Sequence, residues 1–229
     1  TLLWRVVTDY PDEAHAADAL QELVNDGRHR DAQALADQIG KILTPLAETE
    51  VGDNLVWWLA DLHEKELKRP DAARALYDRI PADYPDSGLR DDSRWHAARL
   101  SKQLGDPEGA VQRLRALLAT REVAVGAGSY FSIWLDDAQL ELGKVLRDDM
   151  RDYPAAVRAF QTLPEHYPTS ILRDDALWEL AVTWHAAGDR ARACATLAGL
   201  QRDWPDSRYQ LEQAPALRRE LACPGGAAP

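Results

Sequence analysis

Residues 84–98, YPDSGLRDDSRWHAA, and residues 167–181, YPTSILRDDALWELA, share nine of fifteen positions at an offset of 83. The same offset lays IPADYP (80–85) over LPEHYP (163–168), Ala73 over Ala156, Tyr77 over Phe160, and Gly105-Asp106 over Gly188-Asp189. The register holds without a gap over about 53–121 and 136–204. A chain built this way must fold into units that pack against their own copies, so the architecture is a stack and not a closed core.

Each copy splits into two helix–turn–helix pairs. In the last pair, Leu177, Leu180, Ala181 and Trp184 follow helical spacing, Gly188 suits a C′ position, and Asp189 suits the cap of the next helix. Ala193, Leu197 and Leu200 form one face of that helix, and Trp204-Pro205 stops it. Gly27, Gly105 and Gly188 are expected to take the same turn role in three pairs. Five hairpins result, near 12–44, 53–81, 88–120, 132–164 and 171–203. LLWRVVTDYP resembles LYDRIPADYP (76–85), so the chain opens in the second helix of a truncated hairpin, with a signal segment or earlier repeats expected upstream. Residues 207–222 suit a capping helix broken at Pro215, with Glu212, Arg218, Arg219 and Glu220 facing water, and 223–229 a loose tail. The expected fold is therefore all-α, one α-solenoid domain over 1–222. TPLAETEVGD (44–53) and REVAVGAGSYFS (121–132) interrupt the stack, and the apolar content of the second favours packing onto the solenoid over a hinge or a lip.

Composition narrows the function. With 45% hydrophobic and 28% charged residues the chain is neither disordered nor membrane-embedded, and no apolar run is long enough for a transmembrane segment. A net charge of −11 with no basic cluster disfavours nucleic acid. Two cysteines, Cys194 and Cys223, are too few for a disulfide framework or a zinc site; two free thiols are expected, with a 194–223 bridge as the alternative. The chain has no zinc-protease, phosphate-loop or nucleophile-elbow motif, and the pair His63-Glu64 has no ligand-spaced neighbour on its helix. No catalytic residue, metal or cofactor is expected.

The hairpins resemble tetratricopeptide repeats. The family pattern of small, aromatic, Ala, bulky apolar and Pro is matched by Ala181, Trp184, Ala193, Leu197 and Pro205 in the fifth hairpin. Ala60, Ala73, Tyr77 and Pro85 match it in the second, Gly143, Ala156, Phe160 and Pro168 in the fourth, and the first and third match less well. The Tyr-Pro-x-Ser punctuation is similar to the bacterial envelope branch of the family, which includes the lipoprotein of the β-barrel assembly machinery and the Tol–Pal coordinator protein. The resemblance implies a right-handed superhelix acting as a non-catalytic scaffold. It would bind a protein or peptide on its concave face, in a periplasmic or outer-membrane-associated setting. A cytosolic regulatory module, or the accessory domain of a peptidoglycan enzyme, are the alternatives.

In that frame Trp57, Trp95 and Trp178 take one position on successive first helices, with Leu140 in the fourth hairpin. A Trp row is a good peptide grip, because each ring buries a large area at low entropic cost. The same spacing also suits wedges between hairpins, which is the commoner use of aromatics on a helix. Asp92 and Asp175, one turn earlier, would add negative rims, and Arg99 and Lys102 a mixed-charge floor. First-turn acids also serve the helix dipole without any ligand.

Overall fold

Helices of one length recur because the residues that set their ends recur. The computed structural model describes residues 2–120 and 132–224. Its helices are α1 (Leu2–Asp9), α2 (His15–Leu43), α3 (Gly52–Lys65), α4 (Pro70–Asp83), α5 (Arg90–Gln103), α6 (Pro107–Leu118), α7 (Leu135–Asp148), α8 (Tyr153–His166), α9 (Arg173–Ala186), α10 (Arg190–Asp203) and α11 (Ala214–Glu220). Among the described residues there is no strand. The result is an all-α stack of helical hairpins. The offset of 83 relates α3, α4 and α5 to α7, α8 and α9 end to end. The chain divides into two compact units, Thr1–Arg113 and Leu114–Pro229.

The Tyr-Pro-x-Ser phrase is a helix-to-helix connector. Tyr84, Tyr167 and Trp204 each donate a backbone N–H to the carbonyl four residues back, and Ser87, Ser170 and Ser207 then donate theirs to the aromatic residue's carbonyl. The serine hydroxyls accept from the N–H two residues on, at Leu89, Leu172 and Tyr209. Arg90 and Arg173 fold back onto the turn, donating to the carbonyls of Pro85 and Ser170. Proline prevents the preceding helix from continuing, and serine satisfies donors that the next helix leaves open.

Turns inside hairpins come in two forms. Gly105 and Gly188 adopt positive φ, 74° and 77°, and the following Asp N–H closes back to Ser101 or Trp184. Lys68 and Arg151 hold the equivalent left-handed positions in α3–α4 and α7–α8, at φ 53° and 57°. Asp106, Asp152 and Asp189 cap the helices that follow. Gly27 departs from expectation: its φ is not positive, and α2 breaks instead at Asp31, whose side chain caps Ala34. The missing side chain at Gly27 leaves room for Leu35, which a Cβ there would meet at 3.1 Å.

In the first unit Leu20, Ile39, Leu55, Leu62 and Ile80 form one fully buried cluster. Between 44 and 51 the chain runs in successive turns and buries Val51. In the second unit α9 and α10 bury Ala181, Ala193, Leu197 and Leu200 against Tyr209, Ala214, Leu217 and Leu221. The terminal element is a π-helical turn, Tyr209–Gln213, followed by α11, so the break lies next to Pro215. Glu212, Arg219 and Glu220 face water. Arg218 does not: it is half-buried and donates to the Leu197 carbonyl and to Gln210, tying α11 to α10.

The cysteines correct the free-thiol expectation. Cys194 on α10 is bonded to Cys223, with Cα atoms 5.4 Å apart. The bridge and the Arg190 bond to the Ala222 carbonyl fasten the chain just beyond α11. Linear spacing of 29 residues gave no sign of this, because the capping segment must first fold back along α10. The segment 121–131, expected to pack onto the solenoid, lies outside the described residues.

Two outcomes are expected. Lys68 is exposed, so Lys68→Gly removes a left-handed backbone penalty without removing buried surface; urea unfolding should show a gain of about 1 kcal/mol. The Cys194→Ser, Cys223→Ser variant should lose about 3 kcal/mol, the entropy of an open loop of this length, in denaturant unfolding of the second unit.

Candidate functional site

The first helices carry every residue the sequence marked for recognition. Trp57, Trp95, Asp92, Arg99 and Lys102 belong to the first unit; Leu140, Asp175 and Trp178 belong to the second. Arg99 is exposed, Asp92 and Lys102 are half-buried, and Trp95 and Leu140 are buried, at 8% and 6% exposure.

Trp57 is half-buried and meets two rings edge-on: Tyr77 of α4 at 5.3 Å and His96 of α5 at 5.5 Å. Trp178 stacks on Tyr209 of the capping segment, centroids 5.5 Å apart and 12° from parallel. Asp175 accepts a 2.5 Å hydrogen bond from the same Tyr209 hydroxyl and lies 3.6 Å from Arg208. Trp178 and Asp175 are thus brought together by one aromatic side chain, and both connect the fifth hairpin to its cap.

Around these residues runs a polar network that the sequence did not reveal. Glu64 on α3 accepts from the Tyr77 hydroxyl at 2.9 Å and pairs with His96 Nδ1 at 2.8 Å, joining the second hairpin to the third. At the same places in the second copy stand Arg147, Phe160 and Glu179. Arg147 reaches Glu179 at 2.5 Å and lies 5.8 Å from the Phe160 ring centre. Acid-to-histidine in one copy becomes arginine-to-acid in the other, with the hydroxyl lost where no carboxylate needs it. Arg28 makes the corresponding link from the first hairpin, to Asp61 at 2.7 Å and Glu66 at 2.8 Å. Ser87 and Ser170 add a second set of links, to Asp53 and Asp136.

Burial pushes the Glu64 carboxyl upward, but the hydrogen bond and charge of His96, with help from the Tyr77 hydroxyl and Lys65, hold it below the usual range. The Tyr77 phenol is pushed far up by burial and by the Glu64 carboxylate. Burial opposes the Arg147 charge, yet its bonds to Asp148 and Glu179 raise its pKa further. Each group is fixed in one protonation state near neutrality by a partner on another helix, which suits a structural link. Among the described residues no group of three His, Cys, Asp or Glu is placed to hold a metal ion, and no helix is long and apolar enough to cross a membrane.

The pairings Glu64–His96 and Arg147–Glu179 escaped sequence reasoning because each partner lies 32 residues away on another hairpin. The signal was present in the duplication: at the offset of 83 both members of the pair change together.

Three segments, 55–87, 137–170 and 175–207, match the tetratricopeptide repeat family. The first and third hairpins, where the pattern is weakest, lie outside them. No curated protein matches the chain in sequence. Among solved structures, the chain is similar to a MamA protein, at 13% identity and a TM-score of 0.62, over 88% of this chain and 97% of that one. It is similar to YrrB, described as a TPR protein with an unusual peptide-binding site, at 14% identity and 0.62, over 92% and 96%. Nearly identical TPR-like repeats of a Podosopora anserina putative kinesin light chain give 16% and 0.59, over 85% and 100%. At these identities the likeness establishes the fold.

Glu64 yields a pH prediction. A carboxyl lowered on folding stabilises above its unfolded pKa, and that contribution disappears as pH falls through the folded value. Glu64→Gln should therefore cost about 1–2 kcal/mol at pH 7. The gap to wild type in denaturant unfolding should shrink below about pH 4.3 and close at lower pH.

Proposed function

We propose that this tetratricopeptide repeat protein is a non-catalytic scaffold that docks a partner protein or peptide on its first-helix faces. The observation that carries the reading is how its charged first-helix groups are used. Glu64, His96, Arg147 and Glu179 join hairpin to hairpin, so they hold a recognition surface in shape and offer no uncommitted acid–base pair. Arg99, exposed on α5, is the side chain best placed to meet a partner, with Asp92 and Lys102 beside it on the same helix. The peptide-binding site named for YrrB supports a polypeptide as the ligand class.

We place the protein in the bacterial envelope, periplasmic or outer-membrane-associated, in assembly or maintenance. The Cys194–Cys223 bond supports this over a cytosolic regulator, since disulfides persist in oxidising compartments.

The test is a photoreactive amino acid at position 99, with exposed position 75 on α4 as the control. One discrete, saturable protein adduct from position 99, recovered with the periplasmic fraction, is the expected result. Equal labelling from both positions would remove the first-helix surface, and an adduct found only in cytosol would remove the envelope assignment.

A further inference from the structure

The two copies differ on the face made by their second helices. In the first copy that face is strapped. Arg74 on α4 reaches Asp106 at 2.9 Å, and Arg113 on α6 grips Asp78 on α4 through two bonds of 2.8 and 2.6 Å. At the offset of 83, Arg74 and Asp106 become Val157 and Asp189, and Arg113 and Asp78 become Thr196 and Gln161. Both straps are gone, because neither arginine survives.

A groove opens in their place. Its middle is floored by Leu180 and flanked by Gln161, and it extends both ways from them. At one end Trp184 lies under Arg192, ring to guanidinium 4.7 Å; at the other Trp204 lies near Arg173, at 5.8 Å. Trp184 stands where the first copy has the buried Ser101, so the aromatic wall is also particular to this copy. Phe160 and Leu177 complete the apolar lining. The acids nearby are Glu165, at the Trp204 end, and Asp189, which already caps Arg192 N and faces the Arg192 guanidinium at 3.4 Å.

We propose that this second-copy groove is a binding site for a short polypeptide segment of a partner protein, apolar in its middle and acidic at both ends. The charge arrangement selects that occupant. On a chain of net charge −11, the groove presents an arginine at each end, each held over a Trp face. Arg173 gives its Nε–H to the Ser170 carbonyl and Arg192 faces Asp189, so the remaining guanidinium N–H groups of each are the donors a carboxylate would take. Between those points the half-buried Leu177, Trp184 and Trp204, set around the buried Leu180, offer contact to apolar side chains. The site is separate from the first-helix face and shares with the scaffold reading only the premise that the ligand is polypeptide.

The experiment measures binding of a fluorescein-labelled peptide, DELFLED, by anisotropy, with KKLFLKK and DEGGGED as controls. DELFLED should bind at least about tenfold more tightly than either control, and the preference over KKLFLKK should fall as salt is raised. Gln161→Asp with Thr196→Arg rebuilds the first copy's main strap and should weaken DELFLED about tenfold or more while helix content and Tm stay at wild-type values. Should that variant misfold, Arg173→Gln with Arg192→Gln decides the matter, with about a tenfold loss expected. Absence of DELFLED binding, equal binding of KKLFLKK, or full affinity in a folded variant of either kind would overturn the site. A position-99 adduct that persists in the strapped variant would show the scaffold reading standing whichever way the groove falls.

Discussion

A two-helix hairpin cannot bury both of its apolar sides on itself, and the whole structure follows from how that deficit is passed along. Within each compact unit, a hairpin covers one side with its own partner helix and hands the other to its neighbour. Ala60, Ala73 and Ala97 keep adjoining helices close enough for Tyr77 to be fully enclosed, and Gly143 does the same for Phe160, whose ring would collide with a methyl group there. Apolar contact alone would tolerate sliding. The bridges Arg28–Asp61, Glu64–His96 and Arg147–Glu179 supply direction, since buried or half-buried charges are stable only with their partners in reach.

The π-helical turn and α11 lay Tyr209, Ala214 and Leu217 over the apolar side of α9 and α10. Tyr209 repeats, from a different residue type, the role that later hairpins play for earlier ones: its ring covers Trp178 and its hydroxyl satisfies Asp175. The Cys194–Cys223 bond adds to this cover by shortening the chain that could pull away.

Duplication separates what the scaffold requires from what it permits. The connector serines Ser87 and Ser170, the capping aspartates Asp106 and Asp189, and the buried leucine pairs Leu114 and Leu197, Leu117 and Leu200 are the same in both copies, because they serve the backbone and the core. The polar links keep their positions and exchange their chemistry. On the second-helix face the second copy lacks both straps of the first, exchanging Asp78–Arg113 for Gln161 and Thr196 beside an aromatic groove.

The number of hairpins, their boundaries and the connector at Tyr-Pro-x-Ser were legible from sequence, because each is set by residues within a few positions of one another: a proline that stops, a serine that caps, an apolar stripe of helical period. Local signals misled at Gly27, where room for Leu35 and not a turn was needed, and at Arg218, whose charge suggested water but whose reach is to α10. The Trp positions were found, yet their neighbours Tyr77, His96 and Tyr209 were not. Tertiary structure alone decided the Glu64–His96 and Arg147–Glu179 links, the cystine and the open groove. Each joins groups about thirty or more residues apart whose meeting depends on how successive hairpins are rotated, and no local pattern encodes that rotation. The sequence by itself determined the repeating unit and its ends, since these rest on local hydrogen bonding. Which faces meet and which stay open was settled by packing between side chains that are distant along the chain.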